Sequence, residues 1–540
     1  MSHKVQRAEP WWKGAVVYHI YPRSFQDSND DGIGDLPGLL HRLDYIAALG
    51  VDAIWLSPIF PSPMKDFGYD VANYTDVDPV FGTLRDFDEL LAQAHSRGLR
   101  VIVDLVLNHT SDEHPWFRDS QLSRSSAKAD WYLWADGEPG QPPNNWCSYF
   151  GGSAWQWHQG RGQYYLALFA PEQPDLNWRC PEVRQAIFEV VRFWLDRGVD
   201  GFRLDVVNFF IKDALLRDEP ARRTRCSPMA HRNFHSVFRR DRPETLLLVE
   251  ELAAIVDRYS GRVTIGEVST DLGVSQYFEY SKPGRLDLVF NFALKNTPRF
   301  DAGAFYDGIS RAEEIYGELG WPCWVLGNHD TRRLATRFSE GPLDERRAAV
   351  LMAMLLTLRG TPFLYYGDEI GMREACLARE RLLDPKGRTL WPHDAGRDGC
   401  RTPMQWDDSR YAGFSSTEPW LPVQDDKAVV NVASAAQDPA SLLELTRALL
   451  RLRKGSRALR LGSFAWLSRD PVDALGYERR DGDERKAVIL SWRASPVSFG
   501  AAAGSGLLLR VLLGSHRQSG EELRLPCELA PYEVIIAEVR

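Results

Sequence analysis

Three short stretches of the 540-residue chain each carry one acidic side chain: G-F-R-L-D at 201–205, I-G-E-V at 265–268 and G-N-H-D at 327–330. Each follows a run of β-branched and apolar residues, where a strand would give way to a loop. Arg203 and Asp205 are two apart, so on a strand they share one face. A guanidinium that close keeps a carboxylate ionised, as a nucleophile requires. Glu267 has the apolar or small neighbours Ile265, Gly266 and Val268, which favour a carboxyl that keeps its proton and acts as a general acid. Asp330 is a third carboxylate. One ionised and one protonated carboxyl side by side are what cleavage of a glycosidic bond needs. Taken singly, each acid reads equally well as a helix cap or a core ion pair, so the elements that carry them must bring them together.

Strand-like runs fall at 16–21, 53–57, 100–105, 201–205, 263–267, 286–290, 323–327 and 362–366. Segments between them, such as 83–97 and 182–197, have apolar positions three and four apart, as amphipathic helices do. Gly98 and Gly198 stand where helix C-caps belong. The alternation predicts an α/β fold, a parallel (β/α)8 TIM barrel whose strand ends gather the acids at one face. Residues 107–174 are too long and too aromatic for an ordinary connection, which predicts an inserted domain after the third strand. The barrel domain is then 1–106 and 175–460, with a loop excursion at about 371–411. Alternating runs at 487–492, 507–513 and 533–539 predict a C-terminal antiparallel β domain over 461–540.

The balance of 65 basic and 74 acidic residues, net −9, argues against a nucleic-acid surface. Seven cysteines with no C-x-x-C pair fit a reduced, cytoplasmic chain. The first residues show no apolar signal core. The apolar run 348–358 is shorter than the ~20 residues that span a bilayer, so no membrane association is expected.

Other constellations add detail. D-S-N-D-D-G-I-G-D at 27–35 places Asp27, Asn29, Asp31 and Asp35 at spacings like those of a calcium loop, with the Ile33 carbonyl as a further oxygen. Gly38 at the twelfth position excludes an EF-hand, which leaves a structural Ca2+ or Mg2+ weighed against a polar turn. F-G-Y-D-V at 67–71 offers Tyr69 as a stacking platform and Asp70 as an acceptor for sugar hydroxyls. His109, in D-L-V-L-N-H at 104–109, and His329 both end strand-like runs and are expected to donate to a substrate.

Together these stretches resemble the α-amylase clan, glycoside hydrolase family 13. D-L-V-L-N-H, G-F-R-L-D-V-V-N, I-G-E-V and G-N-H-D are similar to its four conserved regions, in order. Q-P-D-L-N at 173–177 and G-R-D-G-C-R-T-P-M-Q-W at 396–406 resemble its α-glucosidase and oligo-1,6-glucosidase branch. The resemblance implies Asp205 as nucleophile, Glu267 as general acid/base and Asp330 as transition-state stabiliser. It implies that Asp70, His109, Arg203, His329 and Arg401 frame a terminal glucose, with Tyr69, Phe150 and Phe169 lining the pocket. It also implies that Asp27, Asn29, Asp31, Ile33 and Asp35 hold the metal. Val206, after the nucleophile, resembles enzymes that accept α-1,6 linkages. The implied partner is a small oligosaccharide or disaccharide, and the implied protein is a monomer or homodimer. A sucrose isomerase or trehalose synthase on the same site is the alternative; Arg381-Leu382-Leu383-Asp384 matches the isomerase loop poorly.

Overall fold

The computed structural model describes residues 9–222, 230–339, 344–468, 472–500 and 506–540. Eight parallel strands close a barrel: β1 Val17–Ile20, β2 Ala53–Leu56, β3 Arg100–Leu105, β4 Gly201–Leu204, β5 Val263–Gly266, β6 Leu288–Asn291, β7 Cys323–Val325 and β8 Thr361–Tyr365. All are buried almost end to end, as strands covered by helices must be. The helix Leu84–Ser96 opens on a capping box between Thr83 and Asp86. The helix Pro181–Arg197 ends on Gly198 in the left-handed conformation at φ 103°, which a glycine adopts without steric cost.

Three strands, Trp134–Ala135, Trp155–His158 and Gln163–Leu166, form a small antiparallel sheet in the insertion between β3 and the next barrel helix. A second long connection follows β4 and packs on it. There Asn145 Nδ2 donates to the Glu219 carbonyl at 3.0 Å and the Glu219 N–H donates to Asn145 Oδ1 at 2.7 Å. This second excursion has no signal in the periodicity of the sequence.

The C-terminal region is a six-stranded antiparallel sheet with Ser463–Trp466 and Glu522–Arg524 at its edges and Val534–Val539 inside it. It docks through Arg479, whose guanidinium donates to the carbonyls of Thr357 at 2.6 Å, Leu459 at 2.9 Å and Gly462 at 2.9 Å. Two of the predicted strands are placed differently. β6 begins two residues later than predicted, because the Asp287 side chain is turned to the N–H and hydroxyl of Thr264. β7 stops at Val325, because the chain already turns at His329 and Asp330, where Asp330 N–H donates to Asn328 Oδ1 at 3.1 Å. Among the described residues no helix is long and apolar enough to cross a membrane.

Candidate active site

The barrel ladder continues one residue past β4 and β5. Asp205 N–H donates to the Leu105 carbonyl at 3.0 Å, and Glu267 N–H donates to that of Leu204 at 2.9 Å. The two acids are thus fixed by main-chain bonds at the rim. Register places Asp104 of β3 beside Arg203 of β4. Arg203 is 1% exposed and sits at the centre of the acids. Its Nη1 donates to Asp104 Oδ1 at 2.9 Å and to Asp205 Oδ1 at 2.6 Å, and its Nη2 donates to Glu267 Oε2.

Three buried carboxyls therefore share one guanidinium. The sequence predicts that Arg203 keeps Asp205 ionised, and its pull is instead divided among three acids. Burial pushes the Asp205 carboxyl well up, and the neighbouring Glu267 and Asp104 push the same way against the pull of Arg203. Burial likewise lifts Asp104 to about 6. Acids that interact this closely titrate as a set and not one by one. Glu267 does not meet the apolar surroundings suggested by its chain neighbours, because the side chain against its carboxylate is Arg203.

Asp330 is held differently. Burial would raise it, but His329, Arg397 and Arg401 together hold it well below the ordinary carboxylate range. Since burial keeps His329 itself largely neutral, the two arginines carry most of this effect. Arg401 Nη2 donates to Asp330 Oδ1 at 2.8 Å, and Arg397 Nη1 lies 3.4 Å from the same oxygen. A third of the Asp330 side chain stays open, so it is ionised and accessible.

These groups surround a cavity of about 240 Å3. Asp205, Glu267, Asp330, Tyr69, His109, His329, Phe150, Phe169 and Val206 all line it. Tyr69 stacks on His329 with centroids 5.1 Å apart and planes 8° apart, and donates to Asp104 Oδ2 at 3.0 Å. Burial lowers His109 to about 4. Its Nε2 lies 3.1 Å from the Tyr69 carbonyl, which requires the proton on that nitrogen.

Three expected pocket residues stand elsewhere: Arg203 lies among the acids as described, and Asp70 and Arg401 lie behind the cavity wall. Asp70 is fully buried, and its oxygens accept from the Ser62 hydroxyl at 2.9 Å and from the N–H groups of Lys65 at 2.8 Å and Asp66 at 2.9 Å. It builds the loop, and Asp66 lines the cavity instead. Phe67 and Gly68, at φ 50° and 105°, turn the chain between the two acids. Arg401 is also fully buried and works from behind, gripping the His329 carbonyl and Asp330. Arg397 is the arginine at the cavity. Each motif offered two residues of the right type, and only the loop conformation selects between them. Tyr149, Phe209, Ser269 and Lys386 complete the lining and carried no signal in the sequence.

The match of the α-amylase catalytic-domain model spans residues 19–462. This chain belongs to the α-amylase family. Among curated members, a probable alpha-glucosidase of Rhizobium meliloti is 48% identical over 490 residues, 88% of each chain. An oligo-1,6-glucosidase of Halalkalibacterium halodurans is 36% identical across 97% of this chain and 98% of that one. Among solved structures, the alpha-glucosyl transfer enzyme XgtA superposes with a TM-score of 0.92 at 45% identity, covering 99% of this chain and 100% of its own. The trehalulose synthase MutB of Pseudomonas mesoacidophila gives 0.91 at 35% identity, with coverage of 99% and 100%.

In this α-amylase-family chain the 27–35 loop is a run of side-chain-capped turns. Asp27 Oδ1 accepts from the N–H of Asn29 at 3.0 Å, Asn29 Oδ1 from that of Asp31 at 3.1 Å, and Asp31 Oδ1 from that of Ile33 at 2.8 Å. Asp35 caps the helix Leu36–His41 through the N–H of Gly38. The donors are all hard oxygens, which suits Ca2+ or Mg2+. Yet no three His, Cys, Asp or Glu side chains gather as a metal cluster among the described residues. The observed geometry is that of the turn, and no catalytic step passes through it.

Proposed function

We propose that this enzyme is a retaining, exo-acting α-glucosidase that removes single glucose units from the non-reducing ends of short α-glucosides such as maltose, isomaltose and sucrose. The observation that carries this reading is the placement of Asp205 and Glu267 on the two Nη atoms of Arg203 at a small cavity. Retaining chemistry needs carboxyls ~5–5.5 Å apart, one to attack and one to give a proton. A pair that flanks one guanidinium meets the demand for closeness.

In the first step Glu267 protonates the leaving oxygen while Asp205 attacks the anomeric carbon, forming a β-glucosyl ester. Ionised Asp330 grips sugar hydroxyls, and its hold strengthens as the ring flattens and gains positive charge. Glu267 then takes a proton from water, which attacks the anomeric carbon, breaks its bond to the Asp205 oxygen and restores the α-configuration. Tyr69 supplies an aromatic face for the sugar.

A second reading changes only the acceptor. If a sugar hydroxyl replaces water, the same ester is transferred, as in an isomerase or transglucosylase. The close likeness to an alpha-glucosyl transfer enzyme and a trehalulose synthase favours keeping it. Initial rates and products on maltose, isomaltose, sucrose and soluble starch decide. Free glucose from the short substrates, with little from starch, supports the hydrolase; a dominant isomer or longer glucoside supports transfer.

A structural Ca2+ or Mg2+ at the 27–35 loop is a separate proposal, supported by its oxygen-only donors. Its test is the thermal midpoint with chelator and with each ion.

A further inference from the structure

We propose that Asp384, which takes no part in the steps above, is a positioning residue that fixes the Arg397 guanidinium against Asp66 and Asp330 and so sets the geometry that these two acids offer a sugar. The inference rests on the α-glucosidase reading of the cavity.

Asp384 precedes the short helix Pro385–Leu390 in the excursion after β8. It is fully buried, and its carboxylate grips Arg397 several times. Arg397 Nη2 donates to Oδ1 at 2.6 Å, Nε lies 3.2 and 3.1 Å from the two oxygens, and the Arg397 N–H donates to Oδ2 at 2.6 Å. Against the cost of burial, the guanidinium holds Asp384 down to about 2. Asp384 is itself anchored, because its N–H and that of Leu383 donate to Asp398 Oδ2 at 2.9 and 2.7 Å. The excursion is built tightly around this pair. A Cβ on Gly396, which has φ 78°, would stand 2.4 Å from Asp384 Oδ2.

Arg397 has two further carboxylates within reach. Nη2 donates to Asp66 Oδ1 at 2.5 Å, and Nη1 makes a long hydrogen bond of 3.4 Å to Asp330 Oδ1, the oxygen that also accepts from Arg401 Nη2 at 2.8 Å. A guanidinium is a rigid fork of five donors. With Nε and Nη2 committed to Asp384 and Asp66, Nη1 alone is left for Asp330 and the cavity. Remove the Asp384 charge and the remaining anions draw the guanidinium inward. Its hydrogen bonds to Asp66 and Asp330 are then displaced, and the geometry the two acids offer a sugar is lost.

The test is a double-mutant cycle with Asp384→Asn and Arg397→Ala, read as kcat and KM on the α-glucoside that the wild type cleaves fastest. Asp384→Asn should lower kcat/KM about 10–100-fold, the usual reach of a supporting residue. The double variant should lose little beyond Arg397→Ala, since Asp384 has nothing left to position. Asp384→Glu, which keeps the charge, should recover part of the loss. Losses that multiply across the cycle, or an Asp384→Asn enzyme with wild-type kcat and KM, would overturn the proposal. If Asp384→Asn does not fold, Asp384→Glu carries the test, and failure of both to fold makes the residue a structural anchor and overturns it as well. A wild type without activity on any α-glucoside overturns the α-glucosidase reading instead, and the cycle is then read on glucose affinity by calorimetry.

Discussion

Arg203 Nη1 lies 2.6 Å from Asp205 Oδ1, both side chains almost wholly buried. The same guanidinium holds Asp104 and Glu267, so one cation serves three acids of the catalytic floor. Arg203→Met should cost about 3–5 kcal/mol of stability, because it leaves buried carboxyls without a cation. It should also lower kcat on the order of 10²–10³-fold. Urea melts and steady-state rates check both, and a stable, active Arg203→Met enzyme refutes the assignment.

Asp66 and Asp70 should separate cleanly. Asp66→Asn removes an Arg397 partner at the cavity and should lower kcat/KM by about tenfold or more. Asp70→Asn alters a buried loop bond network, so its effect should fall on the melting temperature with KM nearly unchanged.

The same Asp70 gives a pH signature. Burial lifts it to about 6, above the ~3.9 of an unfolded chain. Because the folded value is the higher, the stability it contributes is full below about 4 and is lost as pH rises through about 6. The stability of wild type minus that of Asp70→Asn should therefore fall by up to ~3 kcal/mol across that window. Denaturant melts at pH values spanning it would show no such drift if Asp70 were solvent-facing.

Val206 lines the cavity directly after the nucleophile, at φ 36°. A β-branched residue there is strained and persists only where the surroundings enforce it. Val206→Thr keeps the shape and adds a hydroxyl. The ratio of maltose to isomaltose kcat/KM should rise, by a change worth about 1–3 kcal/mol at most. Paired rates on the two disaccharides measure it, and an unmoved ratio would place linkage choice in the excursion after β8.

What the sequence made legible follows from local physics. Strand runs ending in Asp205 and Glu267 announce themselves through period and burial, and the ladder bonds at 3.0 and 2.9 Å show why those residues sit at the rim. The choices that failed were non-local. Asp66 or Asp70, and Arg397 or Arg401, differ only in which way a loop turns them. Asp104 looks like one more strand residue until register sets it against Arg203. The connection after β4 takes its shape from contacts with the inserted sheet, which no window of residues contains.

The central claim is that Asp205 carries the sugar. A slow fluorinated α-glucosyl substrate, followed by proteolysis and mass spectrometry, should place one glucosyl group on the peptide containing Asp205 and none on it in Asp205→Asn. A label on another carboxylate, or a first product of the β-configuration, would contradict the account.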